Sequence, residues 1–305
     1  VSVLVPAFNE EKHILKVVEG VPSFVDHIII VNDCSKDRTA DVVSKIKNNR
    51  IILINHKDNQ GVGGAIISGH KRALQLSSDI NVVMAGDNQM DPKYMTDLLD
   101  KLIDENYDYV KGNRFYSIQK ISAMPKMRVL GNIILSFLNK VSSGYWGIFD
   151  PQNGYTAINA EVLGKIDLNK ISQGYFFENS ILIELNIVGA RVADVPIPAR
   201  YGDEISGLKI SRIIIPFIFY LNWGFYRRIF YKYFLRGVHP IIIFMFSVLC
   251  LTLWGLIFGL IKWNESSSAG VAASAGTVML AVLPLLMGFQ LLLWAVVMDI
   301  QEGNK

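Results

Sequence analysis

The sequence predicts an α/β fold, an open and mostly parallel sheet with helices on both faces, followed by a membrane-associated C-terminal region. Three observations predict it. Short apolar runs alternate with helical segments over roughly the first hundred residues, the pattern that builds a parallel sheet. The polar and acidic residues of this half gather where the apolar runs end, and open α/β sheets bind ligands in the crevice beyond the carboxyl ends of their strands. Two long uncharged runs close the chain, and a hydrophobic content of 51% exceeds what such a core needs.

Taken in order, residues 1–6 read as a strand leading into Ala7-Phe8-Asn9-Glu10-Glu11 and a helix to about Gly20. Residues 27–31 form a second strand, ending in Asn32-Asp33-Cys34-Ser35-Lys36-Asp37 before another helix. Residues 50–54 form a third, followed by Asn59-Gln60-Gly61-Val62-Gly63-Gly64-Ala65 at a helix start. That glycine run follows the third strand rather than the first, and Gly69 has the wrong spacing for a dinucleotide fingerprint. It reads as a tight turn that lets a helix pack closely. The fourth strand, 80–84, stops abruptly at Gly86-Asp87. Asp87 and Gln89 then stand on the same side of an extended turn. A carboxylate and an amide so placed are hard oxygen ligands, suited to Mg²⁺ or Mn²⁺ bridging a diphosphate. The alternative is a strand-ending turn with a helix N-cap at Asp91 before Pro92.

A second group of elements follows. A strand at 107–111 precedes Arg114, and a helix over 125–139 carries Arg128 about one turn in. Asp150-Pro151-Gln152-Asn153-Gly154-Tyr155 reads as a loop, and Phe176-Phe177-Glu178 begins another helix, where an acidic residue also suits the helix N-terminus.

Residues 240–261 carry no charge, and 269–298 form a second uncharged run. About 20 apolar residues cross a bilayer core, so both runs qualify as spans; the second is long enough to tilt or enter the interface, and Pro284 is placed to kink it. Between Ile205 and Asn264 there is no acidic residue, but there are Lys209, Arg212, Arg227, Arg228, Lys232, Arg236 and Lys262, which together outweigh the net charge of +3. This asymmetry puts the N-terminal domain and the tail on the cytoplasmic side of a multi-pass, two-span membrane protein. Only Lys262 and the Asn264-Glu265-Ser266 sequon are expected in the connecting loop. Residues 211–237 mix Ile, Phe, Tyr and Trp with Arg and Lys, and read as one or two amphipathic helices in the headgroup region, interrupted near Pro216 and Asn222-Trp223-Gly224. The competing reading is a helix pair packed on the N-terminal domain. Cys34 and Cys250 provide no disulfide framework, in keeping with a reducing cytosolic face. No secretory leader is expected, because the chain opens on a sheet strand.

These strings carry a resemblance. Val5-Pro6-Ala7-Phe8-Asn9-Glu10, Val31-Asn32-Asp33-Cys34-Ser35-Lys36-Asp37, Asn59 to Ala65, Gly86-Asp87-Asn88-Gln89-Met90-Asp91-Pro92, Gly112-Asn113-Arg114-Phe115, Arg128 and Asp150 to Tyr155 occur in order over about residues 1–210. Together they resemble a family-2 glycosyltransferase of the GT-A fold, in the group of dolichyl-phosphate-mannose/glucose synthases and polyprenyl-phosphate glycosyltransferases. The resemblance implies that Pro6, Ala7, Glu10 and Asp33 line the base and ribose of a sugar nucleotide. Asp87 and Gln89 would face Mg²⁺ or Mn²⁺ and the diphosphate. Arg114 and Arg128 would meet phosphate groups, and Asp150 and Glu178 the sugar end of the cleft. Arg200 loosely matches an arginine followed by Gly-Glu-Ser, with the spacing one residue off, and 205–208 would be a loop near the diphosphate. Two departures stand out: Ala85 replaces the first residue of the usual Asp-x-Asp, and Asn32-Asp33-Cys34-Ser35 replaces Asp-Asp-Gly-Ser.

The implied reaction is a metal-dependent, inverting transfer of glucose or mannose from a UDP- or GDP-sugar to a polyprenyl phosphate, undecaprenyl or dolichyl, at the cytoplasmic face. Such an acceptor is already anionic and needs no general base, only positioning and charge neutralisation, for which arginine forks are suited. The implied partners are the nucleotide sugar, the lipid phosphate and the membrane, with homo-oligomerisation open and no nucleic acid. The expected domains are 1–210 (glycosyltransferase), 211–238 (interfacial helices), 239–298 (transmembrane hairpin) and 299–305 (tail). Two alternatives are a processive polysaccharide synthase, which would carry Gln-x-x-Arg-Trp and a longer membrane region, and a tethered non-catalytic relative, suggested by Ala85.

Overall fold

The computed structural model describes residues 1–114, 126–198, 210–237 and 239–303, with the backbone alone at 126–132 and 210–215. Two compact units divide the chain, Val1–Arg228 and Ile229–Lys305.

The first unit is built on a seven-stranded sheet of order β3-β2-β1-β4-β6-β5-β7. Its strands are β1 (Ser2–Ala7), β2 (His27–Asn32), β3 (Ile51–Asn55), β4 (Ile80–Val83), β5 (Tyr109–Asn113), β6 (Thr156–Asn159) and β7 (Val192–Pro196). The helices are α1 (Ile14–Gly20), α2 (Thr39–Ser44), α3 (Gly61–Gln75), α4 (Met95–Asp104), α5 (Lys126–Ser143), the short α6 (Ala160–Leu163), α7 (Phe177–Val188) and α8 (Ile210–Ile229). β1 pairs in parallel with β2 on one side and β4 on the other, so the strand order reverses between β1 and β4. That reversal opens a crevice at the strand ends.

Side chains alternate across a strand, and the alternation in β1 divides the core. Val3 and Val5 pack with Ile28, Ile30, Val82, Leu98 and the helices α1 and α4. Leu4 packs with Ile29, Val31, Val83, Ile66 and Leu182, beneath α3 and α7. The predicted helices on both faces are therefore present. β6 and β7 were not anticipated. β6 runs antiparallel to both β4 and β5, and β7 lies parallel to β5. β5 itself sits two residues later than the apolar run suggested, because Lys111 and Asn113 are buried in it.

α8 corrects another expectation. It runs unbroken through Pro216 and Gly224. Gly224 is a packing residue rather than a breaker: a Cβ there would stand 2.4 Å from Ile183 Cδ1 and 3.1 Å from Ser142 Oγ. Phe217, Leu221 and Arg228 share that inward face and are buried against the unit, whereas Phe219, Trp223 and Tyr226 point outward at 68%, 63% and 64% exposure. One face thus packs on the unit, as the competing reading held, and the other presents aromatics outward. Two of the basic residues counted toward membrane orientation turn inward. Arg228, fully buried, donates to Ser142 O (2.9 Å) and Val141 O (3.0 Å), closing the C-terminal end of α5. Arg227 pairs with the buried Glu184.

In the second unit a π-helical turn, Phe230–Leu235, precedes α9 (Pro240–Ala269) and α10 (Ala275–Gly303). Both long helices are apolar enough to cross a membrane, at mean hydropathies of 2.6 and 2.3. Helix α9 outruns its uncharged stretch. Lys262 and the Asn264-Glu265-Ser266 sequon lie inside it, Lys262 bonded to Glu265 at 2.6 Å, so the connecting loop is 270–274 and begins at Gly270 in the left-handed conformation. Pro284 is accommodated within α10. The pair packs tightly: a Cβ on Gly255 would fall 2.6 Å from Leu285 Cγ. Tyr233 donates to Asp299 at 2.7 Å, tying the π-helical turn to the end of α10.

Candidate active site

The crevice between β1 and β4 gathers the first set of expected residues. Met84 N donates to Leu4 O (2.9 Å) and Gly86 N to Pro6 O (3.1 Å), extending the pairing past β4. A Cβ on Gly86 would meet Pro6 O, Ala7 Cβ and Glu10 Cγ at 3.2–3.3 Å, so only glycine lets the Asp87 turn lie this close to Pro6, Ala7 and Glu10. Glu10 also opens α1: its carbonyl accepts from His13 N and Ile14 N. Asp87 Oδ1 accepts from Gln89 N at 2.9 Å, and Ala85 N donates to Met90 Sδ at 3.1 Å. Asp91 caps the turn before Pro92, accepting from Lys93 N at 3.2 Å, as its alternative reading held.

Asp87 is half-buried and forms no ion pair among the described residues. Burial raises its carboxyl above the usual carboxylate range, offset in part by the Gln89 N–H and by the charge of His13. A desolvated carboxylate with no salt-bridge partner among the described residues fits a divalent ion. Mg²⁺ takes one or two carboxylates and completes its shell with phosphate oxygens and water. Among the described residues no group of three His, Cys, Asp or Glu could hold a metal alone, so the substrate would supply most of the shell.

Asp33 has a different setting from the one expected. It is buried, and its carboxylate is already engaged: Oδ1 accepts from His56 Nδ1 (2.7 Å) and Gln60 N (2.9 Å), and Oδ2 from Gly61 N (2.8 Å). His56 Nε2 in turn lies 2.9 Å from Ser68 Oγ on α3. The carboxylate therefore caps the N-terminus of α3. The glycines serve packing. Gly64 N donates to Gln173 O (3.0 Å), and a Cβ on Gly63 would be 2.5 Å from Ser172 O. Next to Asp33, Cys34 holds φ +60°, a left-handed conformation that glycine adopts more easily.

The second set of residues surrounds the end of β5. Arg114 donates from Nε (2.7 Å) and Nη2 (3.1 Å) to the two oxygens of Asp150, and its backbone N bonds the same carboxylate at 3.1 Å. Asp150 is almost fully buried, whereas the Arg114 side chain keeps 40% of its surface. Lys111 Nζ donates to Pro151 O at 2.6 Å. Asp194 on β7 accepts from Asn113 Nδ2 (3.0 Å) and Phe149 N (3.1 Å). Glu178 opens α7; burial raises it to about 6, and burial lowers Lys111 to about 8.

The two sets touch. Tyr155 OH donates to Asp91 O at 3.3 Å, and a Cβ on Gly154 would lie 3.4 Å from Met90 Cε and 3.7 Å from Glu178 Oε1. The turn after β4 and the 150–155 loop thus share one wall. Arg128 lies on α5 with its side chain outside the described residues, and Arg200 and 205–208 are outside them altogether. Sequence reasoning missed His56, Ser68, Lys111 and Asp194. His56 follows a strand end, which was a usable signal; a lysine inside a strand gave none.

A mostly parallel sheet with a carboxylate turn at its reversal and an arginine-carboxylate pair across the crevice defines a GT-A-type sugar transferase. The glycosyl transferase family 2 model matches residues 2–167; the chain belongs to that family and is a glycosyltransferase. It is 31% identical over 236 residues to the UDP-N-acetylglucosamine–dolichyl-phosphate N-acetylglucosaminyltransferase of Methanococcus voltae, covering 72% of this chain and 93% of that one. It is 28% identical over 234 residues to the polyprenol monophosphomannose synthase of Mycolicibacterium smegmatis (74% and 88%), and 30% over 233 to a dolichyl-phosphate beta-glucosyltransferase of Trichomonas vaginalis (70% and 69%). Among solved structures, glucosyl-3-phosphoglycerate synthase from Mycobacterium tuberculosis, in complex with Mn²⁺, UDP and glucosyl-3-phosphoglycerate, superimposes with a TM-score of 0.54 at 19% identity, over 74% of this chain and 78% of that one. That likeness is one of fold.

Proposed function

We propose that this enzyme transfers one sugar, glucose, mannose or an N-acetylated hexosamine, from a UDP- or GDP-sugar to a polyprenyl phosphate at the cytoplasmic membrane face. The observation that carries the reading is Arg114, forked onto buried Asp150 at the crevice wall with part of its side chain still exposed. The relatives' lipid-phosphate acceptors support it. So do the two candidate spans and the outward aromatics of α8, which suit the headgroup region.

Pro6, Ala7 and Glu10 bound the nucleoside, and Asp33 fixes the loop and helix beside it. Asp87, with Gln89, would hold Mg²⁺ or Mn²⁺, which when bound supplies Lewis-acid neutralisation of the diphosphate. An acceptor phosphate oxygen attacks the anomeric carbon; the new C–O bond forms as the bond to the diphosphate breaks, with inversion. The nucleophile is already deprotonated near neutral pH, so the arginines need only position it and offset its charge. The direct test pairs UDP- and GDP-sugars with polyprenyl phosphates and with the corresponding free polyprenol. Products are expected only with the phosphate. Efficient glycosylation of the alcohol would overturn the reading.

A further inference from the structure

Lys111 is a buried cation for which the transfer chemistry has no direct use. It lies inside β5, on the same face as Tyr109, with 0% of its surface exposed. Its hydrogen bond among the described residues goes to Pro151 O, at 2.6 Å. Charged groups from four segments face it: Asp150 in the loop after α5, Glu178 at the start of α7, Asp194 on β7, and Arg114 just beyond β5. Burying an ammonium costs heavily unless its surroundings repay it. Here the three carboxylates do so, and they in turn would be left in excess without it. The bonded carbonyl belongs to the residue next to Asp150, whose carboxylate grips Arg114 at two points.

We propose that Lys111 is a positioning residue for the acceptor end of the site. Its ammonium fixes the 150–155 loop through Pro151, which holds Asp150 in register with Arg114, and its charge offsets the carboxylates gathered behind that pair. The proposal rests on the reading that Arg114 meets an acceptor phosphate. It follows that loss of the Lys111 proton leaves Asp150, Asp194 and Glu178 under-compensated and turns the local field against an anionic acceptor. Burial brings that loss down to about pH 8, well separated from the acceptor's own titration near ~6.

The test compares full-length wild type, Lys111→Arg and Lys111→Met. In wild type, kcat/KM for polyprenyl phosphate falls as pH rises through the region of 8, while nucleotide-sugar affinity, measured by calorimetry, stays level. In Lys111→Arg the guanidinium remains charged, so the alkaline fall moves to higher pH. At pH 7, Lys111→Met raises the acceptor KM by about tenfold or more, the scale of a lost nearby charge, with donor affinity changed by less than about threefold. An alkaline fall that stays in place in Lys111→Arg overturns the role assigned to Lys111, as does a Lys111→Met defect shared equally by donor and acceptor. Either result leaves the acceptor reading standing. That reading fails separately, if free polyprenol is glycosylated as well as its phosphate.

Discussion

Asp87 stands in the turn after β4, half-buried, with one oxygen held by Gln89 N–H. If it carries the metal, Asp87→Asn should lower turnover by about a hundredfold or more, since Lewis-acid stabilisation is worth several kcal/mol, and Mn²⁺ binding followed by electron paramagnetic resonance should weaken in parallel. Asp91→Asn should cost far less, because Asp91 caps a 3-10 turn through Lys93 N. Equal, mild effects would remove Asp87 from the metal site. Legibility at this scale divided along a physical line. Asp87 could be singled out because it stands where an apolar run ends, whereas Arg114 and Asp150, 36 positions apart, were marked only through the family resemblance. Lys111 and Asp194 lie inside strands and bond residues 40 and 81 positions away, so no local string marked them; His56, just past a strand end, did carry a local signal. Asp33 was legible as a residue of the crevice but not as the cap of α3, which needs the register of β2 against β3.

α8 shows what an element adds. From composition its aromatic and basic residues read as interfacial, with packing on the domain as the competing reading; a 20-residue helix has two faces, and the inner one is committed to α5 and α7. The Arg227–Glu184 pair on that side gives a pH-dependent expectation. Burial raises the folded-state pKa of Glu184 above its unfolded value, so its favourable contribution is fully present below the unfolded pKa and declines as pH rises through the raised one. Arg227 offsets that decline by compensating the ionised form. Arg227→Met should therefore lower the melting temperature more at pH 8 than at pH 5, where Glu184 can take up a proton instead. Thermal unfolding at the two pH values measures the difference; an equal loss at both would mean that the pair is too hydrated to matter. The helix continuing through Pro216 and Gly224 was illegible for a related reason. Residues that break an isolated helix are tolerated where a neighbour needs close approach, and Ile183 supplies that need at Gly224.

For the whole molecule, the alternation of strands and helices announced the parallel half of the sheet, and the two uncharged runs announced two long apolar helices that are candidate spans. The antiparallel β6 (Thr156–Asn159) was hidden because it follows directly on a loop whose motif drew the reading toward ligand contact. Separating the molecule near Gly237 tests how its halves share the work. We expect the N-terminal part to keep nucleotide-sugar affinity and to lose most transfer to long-chain polyprenyl phosphate in bilayers. A short-chain acceptor in detergent should remain a substrate. Undiminished activity on the bilayer substrate would show that α9 and α10 are neither tether nor acceptor site.

The closure of α5 by Arg228 has a consequence for how the protein is made. Synthesis runs from the N-terminus, so the carbonyls of Val141 and Ser142 wait for a guanidinium more than 80 residues downstream. Only twelve positions separate Arg228 from Pro240, where the candidate span α9 begins. At ~5–20 residues per second that interval is on the order of one second. The unit Val1–Arg228 therefore receives its last internal plug almost as the candidate span α9 begins to be made. By the order of the chain, closing the fold of the N-terminal unit and starting the first candidate span are nearly one event.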